Sequence, residues 1–152
     1  MVLTNPGVTP NYTLIEGNKA LYMPAISIGG GYKVMMNRCT ITDNRALSTL
    51  YLYKGKQADG DGVSISITVG SEVVMDDVSI SNNKAEGECA AISNSGTLSL
   101  KNVRIYGNSA GNISSIRSSR YGRLIFGKNV RIYGNDAPQD VYSEGLVEMD
   151  FD

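Results

Sequence analysis

Asp59 and Asp61, in the run Gln-Ala-Asp-Gly-Asp-Gly (57–62), and the adjacent pair Asp76–Asp77 are the carboxylates of this chain whose spacing could do chemistry. Two carboxylates across a cleft act as acid and base, or as acid and nucleophile, in glycoside hydrolysis. Carboxylates converging on a calcium ion beside a basic residue would suit polysaccharide elimination. Neither pattern is complete. Counted as a calcium loop from Asp59, the sequence has Ser64 where the sharp turn needs Gly and Gly70 where the bidentate Glu belongs. Asp59 and Asp61 therefore remain candidates only for a looser carboxylate site. Asp76 and Asp77 stand where later segments have Lys101-Asn102 and Lys128-Asn129, which marks them as turn residues, and no third acid joins them. Gly-Arg-Leu-Ile-Phe-Gly-Lys-Asn (122–129) approaches a phosphate-binding loop but ends in Asn where Ser or Thr must hold the metal. The chain has no His, so zinc sites and His-activated nucleophiles are excluded in their usual forms. The expectation is no catalytic residue, no resident metal, no cofactor and no enzyme activity.

Charge says more than motifs. The net charge is −1, but residues 101–135 hold seven basic side chains (Lys101, Arg104, Arg117, Arg120, Arg123, Lys128, Arg131) and no acid. Residues 136–152 hold six acids (Asp136, Asp140, Glu144, Glu148, Asp150, Asp152) and no base. A basic band thus adjoins an acidic end. With a sequence pI near 5.4, that arrangement disfavours nucleic acid as a partner. No apolar run approaches the roughly 20 residues that span a bilayer, and the N-terminus lacks the basic and apolar regions of a signal peptide. Cys39 and Cys89 belong to no metal-type cluster; a disulfide between them is open, with buried free thiols favoured.

The elements that must position these side chains come from an internal repeat. Ile-x-x-Asn-x-Ala occurs five times, at Ile15-Asn18-Ala20, Ile41-Asn44-Ala46, Ile80-Asn83-Ala85, Ile105-Asn108-Ala110 and Ile132-Asn135-Ala137. The asparagines lie 26, 39, 25 and 27 residues apart, and Lys-Asn-Val-Arg-Ile-Tyr-Gly-Asn is spelled twice, at 101–108 and 128–135. Around each copy the pattern alternates with period two: Val103 and Ile105 share one face, Asn102, Arg104 and Tyr106 the other. Such alternation predicts short, half-buried strands. A repeat made only of short strands cannot bury its own apolar face, whereas stacked copies can, each strand pairing in parallel with its equivalent about 4.8 Å away. The predicted fold is all-β, a right-handed single-stranded parallel β-helix (a solenoid) of about five coils of roughly 26 residues. Asn18, Asn44, Asn83, Asn108 and Asn135 then stack as a structural ladder inside a tight turn, each taking the left-handed conformation that Asn tolerates.

The domain reading is one unit over 1–152: an N-terminal extension (1–11), coils over 12–145, an inserted loop at 54–62 that accounts for the long second interval, and the start of a further coil at 146–152. That last run, Leu-Val-Glu-Met-Asp-Phe-Asp, offers no polar cap, so end-to-end stacking or another homo-oligomer is an alternative role for the uncapped coils.

Thr-Ile-Thr-Asp-Asn-Arg-Ala (40–46), Ser-Ile-Ser-Asn-Asn-Lys-Ala (79–85) and Arg-Ile-Tyr-Gly-Asn-Ser-Ala (104–110), with Ile-Gly-Gly-Gly-Tyr at 28–32, resemble the β-helix repeats of large bacterial surface proteins. These are the polymorphic outer-membrane (autotransporter) passengers and the repeat adhesins of Gram-positive bacteria, within the pectin-lyase-like superfamily. The resemblance covers roughly 12–145 and rests on structural motifs. It implies an extracellular, cell-surface module with a structural or adhesive role, and a carbohydrate-active lyase or hydrolase as the alternative. In such a solenoid Arg104 lies one coil from Arg131 and Tyr106 one coil from Tyr133, all facing outward. These four are the candidate binding residues, for an acidic glycan or a host surface protein, with the tyrosines offering flat faces to sugar rings.

Overall fold

The computed structural model describes residues 2–3, 13–20, 25–46, 50–53, 56–59, 64–86 and 89–150, with 2–3, 20, 50–53 and 56–59 described in backbone only. These residues are strands and turns throughout, and no helix among them is long and apolar enough to cross a membrane. The chain winds as a parallel β-solenoid. Its first rung holds β1 (Val2–Leu3), β2 (Thr13–Glu16), β3 (Lys19–Ala20) and β4 (Ile26–Ile28). The second holds β5 (Lys33–Thr42), β6 (Arg45–Ala46), β7 (Leu50–Tyr53), β8 (Lys56–Asp59) and β9 (Ile65–Ile67). Then follow β10 (Glu72–Ser81), β11 (Lys84–Ala85) and β12 (Ile92–Asn94); β13 (Thr97–Tyr106) and β14 (Ile113–Ser118); and β15 (Arg123–Phe126), β16 (Arg131–Tyr133) and β17 (Gln139–Ser143). β18 (Leu146–Met149) opens a further rung. An eight-stranded sheet is built on the order β1-β5-β10-β13-β15-β18, with β2 and β16 joining it beside β5 and β13. A five-stranded sheet (β17-β14-β12-β9-β4) and a short three-stranded one (β11-β6-β3) close the cross-section. From β4 to β17 the chain makes about four full turns.

The alternating pattern becomes columns. Val34, Val73, Leu98 and Leu124 stack in register, as do Met36, Met75, Leu100 and Phe126, and Ile15, Ile41, Ile80, Ile105 and Ile132. Across the interior stand Ile26, Ile65, Ile92, Ile116 and Val141. Apart from Val141, which is exposed at the end of its column, these side chains form one continuous core. In β5 the buried positions are 34, 36, 39 and 41, so the alternation slips by one between 36 and 39. The cause is a left-handed residue at the bend: Arg38, and one rung on in each case Asp77, Asn102 and Asn129 (φ 51–59°). That single kink lets both halves of a ten-residue strand face the same interior.

The Asn ladder forms without a break. The backbone N–H and Nδ2 of each Asn donate to Oδ1 of the next: Asn18 to Asn44 (3.1 and 2.8 Å), Asn44 to Asn83 (both 3.0 Å), Asn83 to Asn108 (3.0 and 2.9 Å) and Asn108 to Asn135 (3.0 and 3.1 Å). The second amide hydrogen reaches back one coil, from Asn44 to the Ile15 carbonyl, Asn83 to Ile41, Asn108 to Ile80 and Asn135 to Ile105 (3.1–3.2 Å). One expectation needs correcting. The left-handed residue at this corner precedes the ladder Asn, namely Gly17, Asp43, Asn82, Gly107 and Gly134. These are the types that adopt positive φ at least cost, and the turn they make is what points the following amide inward.

The inserted segment also differs from expectation. β8 occupies 56–59 and pairs antiparallel with β7, Tyr53 opposite Lys56 and Leu50 opposite Asp59. Half of the anticipated loop is therefore the return strand of a hairpin. Lys-Gln-Ala-Asp carries no apolar alternation because such a hairpin stands outside the columns that impose one. At the N-terminus, β1 already pairs with Met35 and Met36, so stacking begins inside the supposed extension. At the other end Val147 and Met149 continue the columns of Leu124 and Phe126 and are 45% and 65% exposed. Cys39 and Cys89 are buried and unbridged, and burial pushes the Cys39 thiol pKa up.

The corner leading back into the long strands is set by a glycine column, Gly96, Gly122 and Gly145, preceding Thr97, Arg123 and Leu146. A Cβ on Gly96 would run into the Ser71 carbonyl oxygen and lie 2.9 Å from that of Thr68. Gly96→Ala is expected to lower stability by about 2 kcal/mol, since backbone of the preceding coil must move. Urea unfolding followed by far-ultraviolet circular dichroism measures it.

Candidate functional site

Of the side chains singled out by sequence, the structure gathers one group on the eight-stranded sheet. Register pairs Arg104 with Arg131, Ile105 with Ile132 and Tyr106 with Tyr133. The isoleucines point in, so the arginines and tyrosines point out. Beside them Asn102 and Asn129 hold the left-handed bend (φ 53 and 59°). Asn129 Nδ2 donates to Asn102 Oδ1 (2.9 Å), and Asn102 Nδ2 to Asp76 Oδ1 (2.7 Å). This outer amide chain fixes one wall of a shallow hollow of about 270 Å³, lined by Asp77, Asn102, Arg104, Asn129 and Arg131.

Both arginines are exposed, and among the described residues neither forms an ion pair. Other cations of the chain are paired: Lys33 with Glu72 at 2.8 Å, Arg123 with Glu148 at 2.6 Å and Lys101 with Asp76 at 3.8 Å. Two guanidinium groups on neighbouring strands repel, by roughly 1 kcal/mol in water if they are about one strand spacing apart. An anion bridging them reverses that sign.

The tyrosines are arranged otherwise than expected. Their rings stack on each other, centroids 5.3 Å apart and planes 7° from parallel. One face of each ring therefore lies against the other and is closed to a ligand. Tyr106 is half-buried, while Tyr133 is 49% exposed. A sugar cannot lie flat across the pair. Hydrogen bonding by Ser81 and Ser79 holds the Tyr106 phenol below its usual pKa; partial burial opposes the shift and the Arg104 charge adds to it.

Of the candidate acids, the structure describes the side chains of Asp76 and Asp77. The Asp76 carboxylate is engaged by Asn102 and Lys101, and Asp77 is a bend residue at the rim of the hollow. Asp59 is described only as backbone of β8, and Asp61 lies outside the described residues. Among the described residues no three His, Cys, Asp or Glu side chains stand close enough to hold a metal ion.

A second hollow escaped the sequence reading. It lies on the five-stranded sheet and is lined by Asn112, Ile113, Arg117, Gln139, Tyr142 and Glu144. Its members come from β14, β17 and their flanks, outside the repeated motif. The available signal was a break in a column of outward serines, which only strand register makes visible.

No known protein family, characterised protein or solved structure matches this chain.

Proposed function

We propose that this chain is a non-enzymatic binding module of an extracellular surface protein, a β-solenoid that serves as rigid spacer and holds an acidic glycan through Arg104 and Arg131. One observation carries the reading: two exposed guanidinium groups in register, with no carboxylate partner among the described residues, at the edge of a hollow lined by Asn102 and Asn129. A sulfate ester or uronate carboxylate bridging the pair would make charge-assisted hydrogen bonds to both and remove their mutual repulsion. The rest of the solenoid supports the geometry. Ile105 and Ile132 are anchored in the core on one side of the strands, so the outward side chains keep their spacing without help from a loop. The placement at a cell surface rests on the resemblance of the repeat to surface-protein β-helices.

The test is retention on immobilised heparin and polygalacturonate across a salt gradient. Arg104→Ala/Arg131→Ala is expected to weaken binding about tenfold or more and to flatten its salt dependence, with an unchanged urea midpoint. Equal retention of the folded double variant would refute the reading.

A further inference from the structure

The outward column of the five-stranded sheet reads Ser27, Ser66, Ser93, Arg117, Tyr142 in successive rungs. Three turns carry the smallest polar side chain. The next two abruptly carry a guanidinium and a phenol. Arg104 and Arg131 are copies of one another within a duplicated stretch, and duplication alone accounts for their identity. Nothing in the repeat accounts for Arg117 and Tyr142.

The backbone departs from the repeat at the same place. Ile113 pairs with Gln139 and Ile116 with Val141, so β14 holds one residue more than β17 between those rungs. The extra residue is a β-bulge at Ser114–Ser115, both buried, with Ser114 Oγ donating to Asp140 Oδ1 (2.8 Å). Bulges re-aim side chains and concentrate beside functional sites. Here the bulge adjoins the second hollow, about 300 Å³, at the lower end of the size range of small-ligand pockets.

The lining decides the ligand class. Ile113, 2% exposed, is the apolar residue among the described lining residues. Around it stand two primary amides (Asn112, Gln139), one guanidinium (Arg117), one carboxylate (Glu144) and a phenol (Tyr142). Tyr142 donates its hydroxyl hydrogen to Glu144 Oε1 at 3.1 Å. Among the described lining residues one positive and one negative group balance, unlike the Arg104–Arg131 face. Planar, multiply hydrogen-bonding side chains in a small, neutral, partly apolar recess match a ring carrying several hydroxyl groups and no charge.

We propose that this hollow is a binding site for a neutral hexose residue, with Arg117, Gln139 and Asn112 meeting its hydroxyls and Tyr142 holding Glu144 in place to accept from them. The site lies on a different sheet from the acidic-glycan face and does not depend on it.

Saturation-transfer NMR with glucose, galactose, mannose and N-acetylglucosamine as probes tests it. At least one of the four is expected to bind, with an affinity that salt does not change and that Arg104→Ala/Arg131→Ala leaves intact. Arg117→Ser and Tyr142→Ser should each weaken that binding about tenfold or more. Both restore the residue that the column carries in earlier turns, so the fold is retained. Tyr142→Phe, which keeps the ring and frees Glu144, should lie between. Absence of transfer to all four sugars overturns the proposal, as does binding that survives both serine variants or that falls with salt.

Discussion

Asn83→Ala is expected to cost about 4 kcal/mol of folding stability, from the loss of buried hydrogen bonds that water cannot replace. The Asn83 side chain accepts from the backbone N–H and the Nδ2 of Asn44, and donates to Asn108 Oδ1 and the Ile41 carbonyl. Removing it strands two donors of Asn44, a residue only 5% exposed, at a corner where Asn83 itself is 1% exposed. An unsatisfied buried donor costs about 1–3 kcal/mol. The ladder has a direction, and this supplies the control. Asn18 lies at the other end, is exposed, and only donates to its neighbour. Asn18→Ala strands no buried donor and should cost under about 1 kcal/mol. Asn83→Asp tests the donor separately. It would set a carboxylate oxygen against the Ile41 carbonyl and Asn108 Oδ1, raising the folded pKa of the new acid above its unfolded value of about 4. Stability would then be best retained in acid and lost as the pH rises through that range. Urea midpoints for the three variants over a pH series decide the matter; equal costs for Asn18→Ala and Asn83→Ala would mean that the ladder follows the fold without supporting it.

Ile80→Ala should cost about 3 kcal/mol. Ile80 is fully buried between Ile41 and Ile105 in the same column. Truncation therefore opens a cavity closed above and below by side chains that are themselves held in register, leaving little room to relax. Ile132, at the last rung of this column, is only partly buried, and Ile132→Ala should cost about 1 kcal/mol, mainly the transfer term. In a solenoid each coil is stabilised by its neighbours, so an interior rung must matter more than an end one. Unfolding free energies that fail to rank in that order would contradict the column description.

Much of this is legible in the sequence. The spacing of Ile, Asn and Ala placed the ladder and the Ile15-to-Ile132 column, because a one-residue slip would turn every inward side chain outward. The stacking of Arg104 on Arg131 followed from the same register. Other features were hidden for identifiable reasons. Ser114 and Ser115 are polar, yet lie buried in a strand, where Ser114 bonds Asp140. Asn94 interrupts the inward column of Ile28 and Ile67 because it bonds Ser118, the Gly96 N–H and the Arg123 carbonyl. Polarity alone would have assigned both to the surface.

The two hollows divide along that line. Period-two patterning and an exact repeat determine which residues face in, which face out and which stack on their equivalents, since each depends only on neighbours one coil away. How outward side chains meet is another matter. Whether two tyrosines present faces or edges, which cation finds a carboxylate, and where a bulge opens a recess depend on rotamers, bends and contacts between strands that share no motif. Sequence therefore determined the column and its Arg104–Arg131 ladder. Only the tertiary structure turned the tyrosine faces into each other and brought Arg117, Tyr142 and Glu144 around one recess.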